Sequence, residues 1–243
     1  MKKRTLVIGD IHGALKALEQ VLDRAKVTKN DTLIFLGDYV DGWSDAANTI
    51  RFLTILKSTH KCIFIKGNHD ELTLKWLKTG KYNKQWLVHG GQATIDSYAE
   101  LNRTEINLHI YFYESLDKYY LDSENRLFIH AGFTSDKGVK TEYFPEQFYW
   151  DRTLWEMVLA MDKSLDINSK YYPNRLKHYK EVYIGHTALS RINKSKPHNI
   201  ANVWNIDTGA AHKNPLTILD VDTKQFWQSD PAYKLYPNEI GRN

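Results

Sequence analysis

The chain of 243 residues carries one cysteine, Cys62, so it contains no internal disulfide framework, the usage expected in a reducing compartment. It has no apolar run long enough to span a bilayer. Leu6-Val7-Ile8, behind the basic start Met1-Lys2-Lys3-Arg4-Thr5, is far too short for a signal-peptide core. No stretch has the composition of a linker, and one α/β domain with a sizeable core can account for residues 1–243. Neither sign of charge dominates: 33 Lys and Arg against 29 Asp and Glu leave a net +4, with no basic block and no RNA-binding signature. These absences predict a cytoplasmic globular protein with no membrane partner. Nucleic acid is a poor candidate ligand, and a phosphorylated protein, nucleotide or small phosphoester is a better one.

What is present is a series of short apolar runs, each ending in a turn that contains glycine. The run 5–8 leads into Gly9-Asp10-Ile11-His12-Gly13, 32–36 into Gly37-Asp38-Tyr39-Val40-Asp41-Gly42, and 62–65 into Gly67-Asn68-His69-Asp70. Later, 126–129 leads into His130-Ala131-Gly132, and 182–184 into Gly185-His186-Thr187. Leu15, Leu18, Val21, Leu22 and Ala25 recur at helical spacing behind the first turn, as do Ile50, Leu53 and Leu56 behind the second. Asp10, Asp38 and Asn68 lie 28 and 30 residues apart, the spacing that repeated βαβ crossovers give. Loops at the carboxyl ends of strands are where open α/β sheets bind ligands. Six side chains then converge: Asp10, His12, Asp38, Asn68, His130 and His186. Oxygen and imidazole donors in that number suit two divalent first-row metals sharing one carboxylate. One such turn says little, because a turn Asp or His is usually satisfied locally, but five of them, each after its own strand, point to a metal site.

Residues 71–114 read as helical, with apolar stripes through Leu72, Trp76, Trp86 and Tyr98 and a break at Gly90-Gly91. Residues 119–121 and 126–129 read as a hairpin. Residues 133–180 are rich in Phe, Tyr and Trp and form a variable segment that either packs on the sheet or lines a substrate groove, with a helix near 155–161. Strands are predicted at 201–206, 216–220 and 225–227. The tail beyond Ser229, with Pro231 and Pro237, has no periodicity and is expected to lie over the surface; its sequence assigns it no role.

With GDIHG at 9–13, GDYVDG at 37–42, GNHD at 67–70, HAG at 130–132 and GHT at 185–187 in this order, the sequence resembles the calcineurin-like metallophosphoesterases. Within them it is most similar to the phosphoprotein phosphatase branch, with its bacterial and phage serine/threonine phosphatases. HGGQATIDSY at 89–98 and NIDTGA at 205–210 match less closely, and the likeness runs from about residue 6 to 219. The resemblance implies an α/β fold, a four-layer α/β/β/α sandwich with a dinuclear metal site at the strand ends. It assigns Asp10, His12 and Asp38 to a first metal and Asp38, Asn68, His130 and His186 to a second. Manganese is the ion expected from such donors, with iron or zinc as alternatives. The implied activity is hydrolysis of phosphomonoesters, phosphoserine and phosphothreonine proteins among them, by a metal-activated hydroxide attacking in line. His69 is the implied general acid, with Asp41 fixing its tautomer. Arg152, in Trp150-Asp151-Arg152, would contact the phosphate together with Lys66 and Asn68.

The sequence departs from the phosphatase pattern where Gly42, Lys66 and Asp70 replace Arg, Arg and Glu. Lys66 keeps a charge without the bidentate fork. Gly42 is expected to leave room for a bulkier phosphate, with Trp43 beside it as a stacking surface. An alternative is therefore a hydrolase of dinucleoside polyphosphates or other nucleotide anhydrides and diesters, like the symmetrical diadenosine tetraphosphate hydrolases that share the GD-x-HG and GNHD turns. It needs an aromatic to stack a base, either Trp43 or the aromatics before Arg152. A non-enzymatic phosphate-binding scaffold on the same fold would have lost ligands, and none of the six is lost.

Overall fold

The computed structural model describes residues 3–242. In chain order the first units are β1 (Thr5–Ile8), α1 (Leu15–Arg24), β2 (Thr32–Phe35), α2 (Ala46–Thr59), β3 (Lys61–Phe64) and α3 (Asn68–Thr79). A helical stretch follows: α4 (Lys84–Trp86), a π-type turn over Leu87–Gly91, α5 (Gln92–Ser97) and α6 (Arg103–Glu114). Next come β4 (Tyr119–Leu121), β5 (Arg126–Ile129), α7 (Gln147–Trp150), α8 (Thr153–Ala160), β6 (Glu181–Ile184), β7 (His198–Ile200) and β8 (Val203–Asn205). The chain then returns through β9 (Thr217–Asp220), β10 (Phe226–Gln228) and α9 (Ala232–Leu235).

These strands make two five-stranded sheets, ordered β10-β9-β1-β2-β3 and β4-β5-β6-β8-β7. In the first, β1, β2 and β3 are parallel. In the second, β5, β6 and β8 are parallel, and antiparallel β4 and β7 form the edges. Three apolar layers hold the stack. Val7, Ile34, Leu36, Phe128, Tyr183 and Leu219 fill the space between the sheets, where the Phe128 and Tyr183 rings stack with centroids 4.9 Å apart. Leu6, Ile8, Leu33, Phe35, Leu18, Val21, Ile50 and Leu53 join the first sheet to its helices, and Leu127, Ile129, Val182, Val203, Leu154 and Trp155 join the second sheet to residues 133–180. The four-layer α/β/β/α arrangement follows from this burial. Parallel strands covered on both faces read as unbroken apolar runs, as β1, β2 and β5 do.

The break at Gly90-Gly91 is present. Gly90 has φ +102°, and a Cβ there would stand 2.7 Å from the backbone of Asp41 and Gly42. Strand β7 carries no sequence signal, because only one of its three residues is buried. The tail lies partly over the surface, as expected, but is anchored by a buried residue. Tyr236 is buried and stacks on Trp43 with centroids 5.2 Å apart; its hydroxyl donates to Asp45 Oδ2 (2.7 Å) and accepts from the Lys16 amide. Glu239 accepts from the amide and hydroxyl of Ser44. So short a segment needs one aromatic anchor, which leaves no period to read. Among the described residues no helix is long and apolar enough to cross a membrane.

Candidate active site

The six parallel strands, three from each sheet, point their carboxyl ends to one side, and the loops that follow them meet there. Asp10 and His12 follow β1, Asp38 and Asp41 follow β2, and Asn68 and His69 open α3 beyond β3. His130 follows β5, His186 follows β6 and Asp207 follows β8. All nine side chains are buried. His12, Asp38, Asp41 and His186 adopt left-handed backbone with φ of 54°, 51°, 70° and 66°, a conformation non-glycine residues hold only where the surroundings over-determine it.

The donor set converges as the spacing predicts. His12 Nε2 lies 3.9 Å from Asp10 Oδ2 and 3.6 Å from Asp38 Oδ2, while His130 Nε2 lies 3.4 Å from the same Asp38 oxygen. Asn68 Oδ1 stands 3.2 Å from His130 Nε2 and 2.9 Å from His186 Nδ1. Two groups, His12-Asp38-His69 and Asp38-His130-His186, each bring ligand atoms within 4.8 Å of one another, and Asp38 is common to both. His12 Nδ1 donates to the carbonyls of Val40 and Asp41, and His130 Nδ1 donates to that of Leu36. That leaves each Nε2 lone pair facing a carboxylate, a repulsive contact unless a cation or a proton stands between them. Asp10 Oδ1 and His186 Nε2 are buried without a hydrogen-bond partner among the described residues. Buried orphaned acceptors cost about 1–3 kcal/mol each, and a metal ion would satisfy such donors, so the residues fit a dinuclear centre.

The electrostatics agree. Burial, with Asp207 next, holds the Asp10 carboxyl well above the usual carboxylate range. Burial alone would push Asp38 the same way, but His130 and His69 outweigh it and keep Asp38 ionised well below that range. Burial drives His12 and His186 far down, towards the neutral form that binds metal. Glycines let the loops close: a Cβ on Gly67 would overlap Asp38 Oδ1, and one on Gly185 would overlap Asp10 Oδ1.

Beside this cluster His69 Nδ1 meets Asp41 Oδ2 at 2.7 Å. Asp41 also accepts from the Trp86 indole and the Thr94 hydroxyl, so its carboxylate is fixed and His69 Nε2 is left as the atom that can hand over a proton. Asp70, in place of the longer Glu, accepts the amides of Asp38, Tyr39 and Gly67 at 2.7–2.9 Å and ties the second loop to the third.

A cavity of about 300 Å³ opens over Asn68 and His69, walled by Trp86, His89, Trp150, Arg152, Arg191 and Arg242. Arg152 reaches Thr187 Oγ1 at 3.3 Å, next to His186. Burial, then Arg191 and Arg242, lower the Arg152 pKa. Among the described residues neither Arg191 nor Arg242 makes an ion pair. Lys66 is not brought to this cavity and pairs instead with Glu71 at 2.8 Å. Trp43 is corrected as a stacking surface: it is wholly buried, and its indole donates to the Ala210 carbonyl. Gly42 does not open a phosphate pocket either. It has φ +150°, and a Cβ there would meet the His12 carbonyl at 3.0 Å, so this position packs against the His12 turn. Sequence reading missed Arg191, Arg242, His89 and Asp207. Two of them carried a signal, His89 in HGGQATIDSY and Asp207 in NIDTGA, and burial raises the Asp207 carboxyl to about 6.

Comparison with known proteins agrees with this geometry. The profile of the calcineurin-like phosphoesterases matches residues 3–207. The asymmetrical bis(5'-nucleosyl)-tetraphosphatase PrpE of Oceanobacillus iheyensis is 26% identical, the match covering 90% of this chain and 89% of that protein. Serine/threonine-protein phosphatase 2 of Escherichia coli is 34% identical over 100 residues, 41% of this chain and 42% of its own. A protein serine/threonine phosphatase of Saccharomyces cerevisiae superimposes with a TM-score of 0.62 at 13% identity, covering 93% of this chain and 79% of that one.

Proposed function

The chain belongs to the calcineurin-like phosphoesterase family, metal-dependent phosphoric ester hydrolases, and from that premise we propose that it is a nucleotide-anhydride hydrolase acting on dinucleoside polyphosphates. The observation that carries this reading is the cavity over Asn68 and His69, where three arginines and two tryptophans line one wall system. A single phosphoryl dianion needs one or two cations. Three guanidinia beside exposed Trp150 suit several linked phosphates and a stacked base. A relative matched along nine-tenths of the chain bears the name of a tetraphosphatase, which supports the same substrate class.

In this reading Asp10, His12 and Asp38 hold one ion, and Asp38, Asn68, His130 and His186 the other, with manganese the ion expected from the donor set. Ions held there would supply Lewis acidity and make water a stronger acid near neutral pH. Arg152 and Asn68 orient the phosphoryl group under attack. His69, its Nδ1 held by Asp41, delivers a proton from Nε2 to the leaving oxygen. Lys66 supports α3 through Glu71 instead of touching substrate. Residues 1–243 act as one catalytic domain, 133–180 supply part of the substrate wall, and the enzyme works in the cytoplasm.

The test is a comparison of kcat/KM for manganese-loaded enzyme on diadenosine tetraphosphate, a phosphoserine peptide and p-nitrophenyl phosphate, with chromatography of the nucleotide products. The tetraphosphate is expected to lead by at least about tenfold, the return on one charge-assisted contact. A faster phosphopeptide would overturn the proposal and favour the phosphoprotein reading.

A further inference from the structure

Residues 236–242 are stitched back onto the site. Beyond the Tyr236 and Glu239 anchors, Gly241 turns with φ +71° against Trp43, where a Cβ would lie 2.6 Å from the indole ring. The Arg242 amide then donates to the Ala211 carbonyl at 2.8 Å, and the Arg242 carbonyl accepts from His212 Nδ1 at 2.8 Å. Both partners of Arg242, Ala211 and His212, lie in the loop that follows β8 and Asp207. So many fixed points hold the backbone of this strap, and its one product on the cavity wall is the Arg242 side chain.

The three arginines reach the cavity from different parts of the fold. Arg152 comes from the start of α8 and is tethered to Thr187 beside the metal ligand His186. Arg191 comes from the short turn Leu189–Ile192, and Arg242 enters beside His212. Three guanidinia facing one space repel each other, and Arg152 already feels the other two. A third cation held there by a dedicated strap gives an extended anion a partner for more than one of its charges.

We propose that Arg242, carried by the 236–242 strap, is a specificity residue that grips phosphoryl groups next to the one attacked, so that the cleft selects chains of phosphates over single ones. The assignment rests on reading the cleft as a nucleotide-anhydride site, and it gives that reading a residue that no motif contains.

The experiment measures inhibition of p-nitrophenyl phosphate hydrolysis by orthophosphate and by inorganic tripolyphosphate, with metal in excess, for the wild type, Arg242→Gln and Arg242→Lys. The readout is the ratio of the two inhibition constants, which is insensitive to a general loss of rate. Arg242→Gln is expected to shift the ratio against tripolyphosphate by at least about tenfold, and Arg242→Lys to recover part of the shift. An unchanged ratio, with both constants moving together or neither moving, overturns the assignment and leaves the strap a structural role. The two proposals fail separately. A wild type that ignores diadenosine tetraphosphate but shows the Arg242-dependent ratio sinks only the substrate reading, and the converse sinks only Arg242.

Discussion

At the scale of single residues the chemistry divides between buried groups that hold charge in place and one that moves a proton. In the proposed mechanism His69 is the mover, because its Nδ1 is committed to Asp41 and Asp41 is itself held by Trp86 and Thr94. A leaving group that is already a stable anion hardly needs that proton. His69→Asn is therefore expected to lower kcat by about 10²–10⁴ on alkyl phosphates and nucleotide anhydrides, and far less on p-nitrophenyl phosphate, with bound metal retained. A series of substrates ordered by leaving-group pKa checks this. A loss that is uniform across the series would make His69 a positioning group.

At the scale of elements, the loops work because the backbone of one can touch the carboxylate of the next. Gly67, between β3 and α3, lies against Asp38, so Gly67→Ala forces out of place the carboxylate that the proposed centre shares between its two ions. The expected result is about 10–100-fold weaker metal binding, read by metal analysis after dialysis, with activity lost in parallel. Gly80, which ends α3 with φ +68° and has open space where a Cβ would stand, is the control. Gly80→Ala should cost about 1–2 kcal/mol of stability through backbone strain alone and keep its metal. Full metal content in Gly67→Ala would mean that the β2 and β3 loops do not share an ion.

At the scale of the whole molecule, metal and fold are linked through pH. Burial alone would lower His130, but Asp38 at 3.4 Å, then Asp10 and Asp70, raise it to about 9. A histidine raised in this way gives stability that is full below about 6.5 and is lost as pH climbs through about 9. Asp70, lifted by burial and by Asp38 to about 7, also loses its contribution as pH rises from about 4 to 7. On the acid side burial holds His109 at about 4 and depresses His12 and His186, so the unfolded chain takes up protons that the fold refuses below about 6.5. Metal-free protein is expected to be most stable near about pH 6 and to weaken towards pH 9. Metal, by taking the place of the His130 proton, should flatten that decline. Denaturant titrations at three pH values with and without manganese check it, and an identical decline with metal present would remove His130 from the ligand set.

How much of this was legible in the sequence depends on how local each feature is. The turns Asp10-Ile11-His12, Asp38, Asn68-His69, His130 and His186 each follow a buried strand in the chain itself, so the apolar run and its glycine marked both the strand end and the donor side chain that converges there. The two-sheet sandwich followed from the order of those turns through the family resemblance. Strand β7 had no apolar pattern to show. Trp43 and Gly42 looked like parts of a substrate pocket because they adjoin the second motif, yet the strap and the His12 turn bury them, and neither neighbour is near in sequence. Arg191 and Arg242 are ordinary cations until the chain closes. Their meaning comes from lying across one cavity from Arg152, a distance of 39 and 90 residues along the chain that only tertiary packing removes. Metal ligands must sit on rigid strand ends and so are written locally; substrate-gripping cations can come from any segment long enough to reach, and only the folded structure decides which one does.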